Sequence, residues 1–403
     1  MAAPGPSLPP DDDVAEILAR LPARSIGRFR AGWNDITSRS IADRVLARRP
    51  AAVTAILKGS SWLELGDEPH PVDIVRFDGF RGRWHPDVHR TPPCHRAVSL
   101  DDMTISTEDF RSWDGVLCTR VFPRKPQPGD GAGYMLWNPL TDSCAVVSAP
   151  AGHGRIIGGY AHPVTGRFHL IHSSDVAVSG DRDLVAPITV RILGVGDSAG
   201  WREVPLPPAM EAGCSESETT TISMRGERDH SVSLHGNLHW LVQPGSGKVA
   251  LLAFDTVREK FRFMAAPDRP GLDLTTARLR VVPGGKLCVL ALTKEQPRAA
   301  MEVWVLDDYS DSRSWRLRET ARLDRTHLSP AVFAAAAAVE GVHEGEEIFV
   351  QLELGILAYG VRSKVWCRVS VGRICSTLLM YRESVMQPEI SFGKALRGFC
   401  RVE

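Results

Sequence analysis

Several short runs in this chain hold residue types that do chemistry elsewhere, and each is judged by its neighbours. Gly194-Val195-Gly196-Asp197-Ser198-Ala199 follows a strand-like Ile188 to Leu193 and has the spacing of a dinucleotide-binding turn. That chemistry needs a helix whose N-terminus faces the pyrophosphate. Trp201 to Pro208 contains three prolines, so no helix follows and a hairpin turn is expected. Gly245-Ser246-Gly247-Lys248 ends like a phosphate loop. Val242 stands where the first glycine belongs and Val249 where Ser or Thr would hold magnesium, so this is also a turn. His85, His89, Cys94 and His95 could offer nitrogen and sulfur to zinc. Pro86, Pro92 and Pro93 break the segment and no paired-ligand motif is present, so a solvated loop without metal is expected. His235 and His239 flank Gly236-Asn237 and are expected on opposite arms of one hairpin. Asp101-Asp102 and Asp307-Asp308 would point to opposite faces of a strand, so neither is an acid/base pair. No catalytic residue, cofactor site or metal site is expected.

The elements that would position such residues are mostly strands. From about residue 51, alternating apolar and polar stretches recur between Gly, Pro, Asn and Asp clusters. One hairpin type places an aromatic or apolar strand end before a polar turn. Examples begin at Trp137-Asn138-Pro139, Tyr160, Phe254-Asp255 and Tyr359-Gly360. A second type turns on glycine, as in Ser233 to Leu241 and Val281 to Val289, and the two types alternate. Antiparallel hairpins at this spacing fit four-stranded blades arranged radially. Units are drawn at 112–150, 155–207, 231–265, 277–323 and 331–371, with 52–80 adding strands to one more. Phe122 to Gly133 and Met210 to Arg228 read as loops, and Ala331 to Ala338 as the end of a strand. Trp201, Trp240 and Trp366 are expected in the core between blades.

The N-terminal fifty residues follow another period. Asp11, Asp12 and Asp13 can cap a helix behind Pro9 and Pro10. Val14, Ile17, Leu18 and Leu21 share one helical face, and Pro22 ends the helix. Ser25 opens a second helix with Ile26 and Phe29 among Arg24, Arg28 and Arg30. A third, capped by Ser38 or Ser40, carries Ile41, Val45 and Leu46 up to Arg48-Arg49. Three helices this short must pack on one another or on a partner.

Charge and composition exclude several classes. The 403-residue chain has zero formal net charge and no basic footprint for nucleic acid. No apolar run approaches the roughly 20 residues of a membrane-spanning helix, and the N-terminus lacks a secretory pattern. A soluble protein of the cytoplasm or nucleus is expected. Its eight cysteines form no Cys-x-x-Cys pair and read as mostly buried thiols.

The N-terminal run resembles the F-box, the helical module by which substrate receptors attach to a Skp-type adaptor in cullin-based ubiquitin ligases. Leu8-Pro9, Glu16-Ile17-Leu18, Arg20-Leu21-Pro22, Ser25-Ile26 and Arg28-Phe29-Arg30 match its motif in order and spacing. The resemblance implies an adaptor-docking surface made by Leu8, Pro9, Ile17, Leu18, Leu21, Pro22, Ile26, Phe29 and Trp33. After Arg30 the chain runs Ala31-Gly32-Trp33, about three residues shorter than the family pattern, close to one helical turn. Behind it, Ser112 to Cys118, Trp304 to Tyr309 with Ser314-Trp315, and Tyr381 to Ser384 resemble stretches of the F-box-associated domain of plant-type receptors.

The expected fold class is therefore α+β multidomain. A three-helix F-box at 8–50 precedes a mainly antiparallel all-β, kelch-like propeller of five or six blades at 51–391, with a tail at 392–403. The resemblance implies a non-catalytic receptor subunit that binds a Skp adaptor, through it a cullin, and a protein target. Two other readings stay open: a propeller hydrolase acting on glycosides, with carboxylates converging at one end of its channel, and a target-binding module whose F-box no longer docks.

Overall fold

A computed structural model describes residues 52–58, 72–78, 83–89, 103–105, 110–123, 132–138, 143–152, 154–174, 188–208, 222–223, 231–244, 248–272, 274, 277–282, 284–293, 300–322, 338–343, 347–352, 355–369 and 375–381. The helical module expected at 8–50, with every residue expected to dock an adaptor, lies outside them, as do Cys94, His95 and residues 392–403.

The described residues form six antiparallel sheets and no helix. In chain order, the first contains β1 (Ala52–Lys58), β2 (Val72–Asp78) and β3 (Arg83–His89). The second contains β4 (Met103–Ile105), β5 (Arg111–Trp113), β6 (Val116–Pro123), β7 (Gly133–Asn138) and β8 (Ser143–Ser148). The third is β9 (Arg155–Ala161), β10 (Phe168–Ser173), β11 (Val190–Gly194) and β12 (Arg202–Val204). The fourth is β13 (Ile222–Ser223), β14 (Val232–Leu234), β15 (Asn237–Pro244), β16 (Ala250–Asp255) and β17 (Lys260–Ala265). The fifth is β18 (Ala277–Val282), β19 (Lys286–Thr293), β20 (Ala300–Leu306) and β21 (Trp315–Arg322). The sixth is β22 (Ala338–His343), β23 (Glu347–Leu352), β24 (Gly355–Gly360) and β25 (Val365–Val369). Finally β26 (Cys375–Tyr381) pairs with β1, Ala52 opposite Tyr381, and completes the first sheet.

The ring is visible in which strands meet. First strands of consecutive sheets lie beside one another: β5 by β9, β14 by β18, β18 by β22, β22 by β26, and β26 by β5. This is a propeller, its closure made by pairing the last strand with the first. That pairing covers the inner edge of β1, and each sheet keeps only a short outer edge strand. Inner and middle strands are buried on both faces, as in β7, whereas the outermost strands alternate. In β17, Lys260 and Arg262 face solvent while Phe261 and Met264 are covered.

Apolar cores fill the wedges between sheets. Trp113, Tyr134 and Leu136 meet Phe168 and Leu170 between the second and third. Ile157, Tyr160 and Ile192 meet Trp240 and Phe254 between the third and fourth. Similar clusters join the fourth to the fifth and the fifth to the sixth. A tryptophan tie repeats at the outer edge. The indole N–H of Trp201 donates to Ser148 O at 3.0 Å, that of Trp315 to Ala265 O at 2.9 Å, and that of Trp366 to Arg322 O at 3.0 Å. Each acceptor ends the outermost strand of the preceding sheet, so every tie satisfies a carbonyl where pairing stops. The three tryptophans expected between blades are there: Trp240 is buried, and Trp201 and Trp366 are half-buried against the interblade clusters.

Turn chemistry explains the hairpins. Asp114-Gly115 and His235-Gly236 both have positive φ at the two central positions (45° and 79°, 51° and 71°), the geometry that matches the twist of the flanking strands. Longer turns close with a backbone bond from the fifth residue to the first, Gly166 to His162, Glu259 to Asp255 and Lys364 to Gly360.

Four expectations need correction. His85 and His89 lie on β3, not in a loop, because pairing with β2 resumes after a register shift past Pro86, with Ile74 opposite His89. His235 sits in the turn itself rather than on a hairpin arm; only His239 is on a strand. The two hairpin types do not alternate strictly, since the long turn at 162–167 occupies a first-to-second-strand position that holds a two-residue turn in the second and fourth sheets. Within the stretch 210–228 read as loop, β13 pairs with Gln243 and Pro244.

Candidate functional site

Antiparallel pairing fixes which connections share a face of the ring. In every sheet the first-to-second and third-to-fourth turns emerge at one end. The second-to-third turn and the passage to the next sheet emerge at the other. The first face carries the tight turns at Asp114-Gly115, 162–167, His235-Gly236, 256–259, 307–314 and 361–364. The strand ends joined by 59–71, 90–102, 174–189, 205–221 and 323–337 lie at the opposite face. Connections are where recognition residues concentrate on a scaffold of strands.

The polar groups of the tight-turn face tie sheets together. Tyr160 at the end of β9 donates its hydroxyl to Glu259 Oε1 at 3.0 Å, and Arg202 of β12 pairs with the same carboxylate. Tyr160 also stacks on His169, centroids 5.1 Å apart, with the His162 ring edge-on 5.2 Å away. Burial, then the Glu259 charge and hydrogen bond, holds the Tyr160 phenol well above its ordinary range. A second group surrounds Tyr309. His239 Nδ1 faces Val232 O at 3.3 Å and must carry the proton there, so Nε2 accepts the Tyr309 hydroxyl at 2.7 Å. Arg262 in turn donates to the Tyr309 oxygen at 3.1 Å, and His235 meets the ring at 4.9 Å. His235 and His239, sited differently from expectation, thus converge on one tyrosine. A third group repeats the first: Tyr359 donates to Glu319 at 3.1 Å and Lys364 pairs with that carboxylate. Burial and the Glu319 bond push the Tyr359 phenol up to about 12. In each group the tyrosine hydrogen bond crosses a sheet boundary, which is what a structural tie requires.

The buried imidazoles of the ring are not poised for proton transfer at neutral pH. Burial lowers His169, His172 and His239 to about 4, so all three imidazoles are neutral there. In the unfolded chain they titrate near their ordinary value of 6.5. Their depressed folded values mean that the unfolded state binds more protons as pH falls. Stability should hold above about pH 6.5 and decline steadily towards pH 4, by the sign of this linkage. Urea midpoints flat from pH 7 to pH 4 would show that these rings are not buried neutral.

The chemical readings of the sequence resolve accordingly. Gly194 ends β11, Asp197 donates its N–H to Gly194 O at 2.9 Å, and β12 follows, so this run is a hairpin turn. Lys248 reaches Asp268 at 3.3 Å in full exposure, beside the β15–β16 connection. Among the described residues, no group of three His, Cys, Asp or Glu side chains is placed to hold a metal ion. Among them also, Cys118, Cys144 and Cys288 are buried free thiols and Cys367 an exposed one. No described helix is long and apolar enough to cross a membrane. Around the axis, β4, β5, β9, β13, β14, β18 and β26 contain no Asp or Glu; β22 contains Glu340. β5, β9 and β18 carry arginine instead. Arg111 donates to Phe110 O at 3.0 Å, Arg278 to Leu274 O and Ala277 O at 3.0 and 2.8 Å, and Arg280 to Leu279 O at 2.7 Å. The axial strands thus lack the facing carboxylates on which glycoside hydrolysis depends.

The cross-sheet ties among Tyr160, Glu259, Arg202, Tyr309 and Arg262 were not legible in the sequence. Tyr160 and Glu259 stand 99 positions apart and no local motif links them.

Comparison with known proteins agrees with this architecture. Residues 214–349, from the fourth sheet into the sixth, match the F-box associated beta propeller domain. Over 379 residues the chain is 23% identical to an F-box protein of Arabidopsis thaliana, covering 89% of each chain. Among solved structures, Pseudomonas aeruginosa periplasmic gluconolactonase is similar at a TM-score of 0.39 with 15% identity, over 79% of this chain and 82% of that one. A puromycin hydrolase is similar at 0.37 with 14% identity, over 64% of this chain and 38% of that one. Likenesses this loose carry no argument about activity. By the domain match and the near full-length relative, the chain is similar to plant F-box proteins that carry an F-box-associated β-propeller domain.

Proposed function

We propose that the protein is the substrate-receptor subunit of a Skp-cullin-F-box ubiquitin ligase. Leu8, Pro9, Ile17, Leu18, Leu21, Pro22, Ile26, Phe29 and Trp33 dock the Skp-type adaptor, and through it a cullin. The long-connection face of the ring binds a protein target. Catalysis is then proximity: the receptor raises the local concentration of target lysines at a conjugating enzyme and supplies no bond-making residue. The observation that carries this reading is the near full-length alignment to an F-box protein, with the ordered N-terminal motif at one end and the F-box associated propeller match behind it.

Capture of the full-length chain on a purified Skp-type adaptor tests it. Leu18→Asp combined with Leu21→Asp places two charges on the apolar face and should reduce retention at least about tenfold, the scale of losing central interface anchors. If the unsubstituted chain is not retained, the shorter junction at Ala31-Gly32-Trp33 has disabled docking and the receptor reading falls.

A further inference from the structure

Strand periodicity and register gather four polar side chains between the second and third sheets. On β6, Val116, Cys118 and Arg120 share a face, and the first two belong to the apolar cluster between these sheets. On β10, Phe168 and Leu170 belong to the same cluster, and His172 follows on their face. Tyr134 of β7 lies directly opposite Arg120, and Arg191 of β11 directly opposite His172. Side chains paired in this way stand about 5 Å apart at Cβ. The Tyr134 and His172 rings meet across the wedge, centroids 6.2 Å apart, and the Trp201 ring lies 5.6 Å from His172. β6 and β10 end, and β7 and β11 begin, at the long-connection face. Towards that face, the apolar wedge therefore gives way to two arginines that flank a tyrosine and a histidine.

Charge is unbalanced there. The Arg120 Nε–H is buried without a hydrogen-bond partner, and the guanidinium lies over the Phe122 ring, 5.3 Å from its centroid. His172 is 2% exposed, and its Nδ1 has no partner either. Arg191 donates through Nε and Nη2 to Glu203 Oε1 at 3.4 and 3.1 Å, but that carboxylate is 66% exposed and holds it weakly. Among the described residues, no carboxylate pairs with Arg120. Both arginines add to the burial that keeps His172 neutral, so their fields meet at its ring. A partly buried guanidinium without a counter-ion bears a desolvation cost that a bound anion offsets. Phe122, 38% exposed, and the Arg191 side chain, 27% exposed, leave the place open to solvent.

We propose that this mouth is an oxyanion site, where Arg120 and Arg191 take a carboxylate or phosphate group presented by the protein target, beside the Tyr134 and His172 rings. The planar guanidinium fork suits either group, and the aromatic surroundings strengthen the pairing by excluding water. The inference rests on the receptor reading for the source of the anion and deepens it by naming the chemistry of the target group. The site itself belongs to the ring and needs no adaptor.

NMR of the full-length chain, with arginine isotope-labelled at Nε, tests it. The Nε–H signal that Arg120→Gln removes is that of Arg120, and Arg120→Lys identifies it equally where the glutamine variant does not fold. Titration with inorganic phosphate or with acetate should move this signal to saturation, and sodium chloride at the same ionic strength should not. Arg191→Gln breaks only an exposed ion pair, so the ring stays folded and the Arg120 signal stays readable. That variant should weaken binding by about tenfold, the scale of one lost charge-assisted hydrogen bond. A shift that never saturates, that chloride reproduces, or that Arg191→Gln leaves unchanged overturns the proposal. Saturation by phosphate alone assigns a phosphorylated side chain of the target, and saturation by acetate an acidic one. Adaptor capture on the same chain separates the two readings. A retained chain without a saturable shift keeps the receptor function and loses the site. A chain that binds the anion but is not retained keeps the site and loses the receptor function.

Discussion

Trp240→Ala should lower the stability of the ring by about 3–5 kcal/mol, the range for removing a fully buried aromatic side chain. Trp240 is 1% exposed, on β15, at the centre of the wedge between the third and fourth sheets. Its indole N–H donates to Ile157 O on β9 at 2.8 Å, and its ring lies 6.0 Å from Phe261. Substitution removes the packing and the hydrogen bond together, at a site walled by strands of two sheets. The wedge cannot collapse without shifting a sheet, so most of the cavity should remain. Trp240→Phe separates the parts: it keeps most of the apolar area and loses only the bond, which is worth about 1 kcal/mol. Urea unfolding of both variants gives the comparison. A loss below 1 kcal/mol for the alanine variant would show that the third and fourth sheets are not held together through this side chain.

Gly159→Ala should cost about 1–3 kcal/mol by overpacking, and Gly159→Val more. A Cβ at position 159 would stand 2.8 Å from Trp113 Cε3 and 2.9 Å from Phe168 Cζ. At the preceding position, Gly158, it would stand 2.9 Å from Trp240 Cζ2. Consecutive residues of β9 face opposite sides, so the Gly158-Gly159 pair admits a tryptophan from each neighbouring sheet. Glycine here answers a close approach of side chains, not a turn. The discriminating measurement is a double-mutant cycle with Trp113→Phe, whose smaller ring should return part of the lost stability. No coupling between the two positions would mean that β9 can shift away from Trp113 and that the fit is not tight.

The hairpins were readable because their causes are local. Period-2 alternation from Leu238 to Val242, and the turn residues at Asp114-Gly115 and His235-Gly236, act within a few positions. The blade boundaries drawn from them agree closely with the sheets that begin at Arg155 and Ala277. Less was legible where pairing is long-range. The start of the second sheet at Met103 and the two residues of β13 are too short to show a period. The motif from Leu8 to Trp33, which lies outside the described residues, is read from apolar spacing and a proline stop alone.

The candidate surfaces divide in the same way. The absence of a phosphate-binding helix after Gly194 followed from three prolines within Trp201 to Pro208. The convergence of His235, His239 and Arg262 on Tyr309 did not follow from any spacing, since it joins a turn, two strands and a loop from two sheets. The sequence by itself determined that this is a chain of short antiparallel strands, because side-chain period and turn chemistry are properties of adjacent residues. Only the tertiary structure decided that β26 closes on β1 and that tryptophans and tyrosine-carboxylate pairs tie the sheets. Those contacts join residues tens to hundreds of positions apart, and what selects them is the packing of six sheets around a common axis.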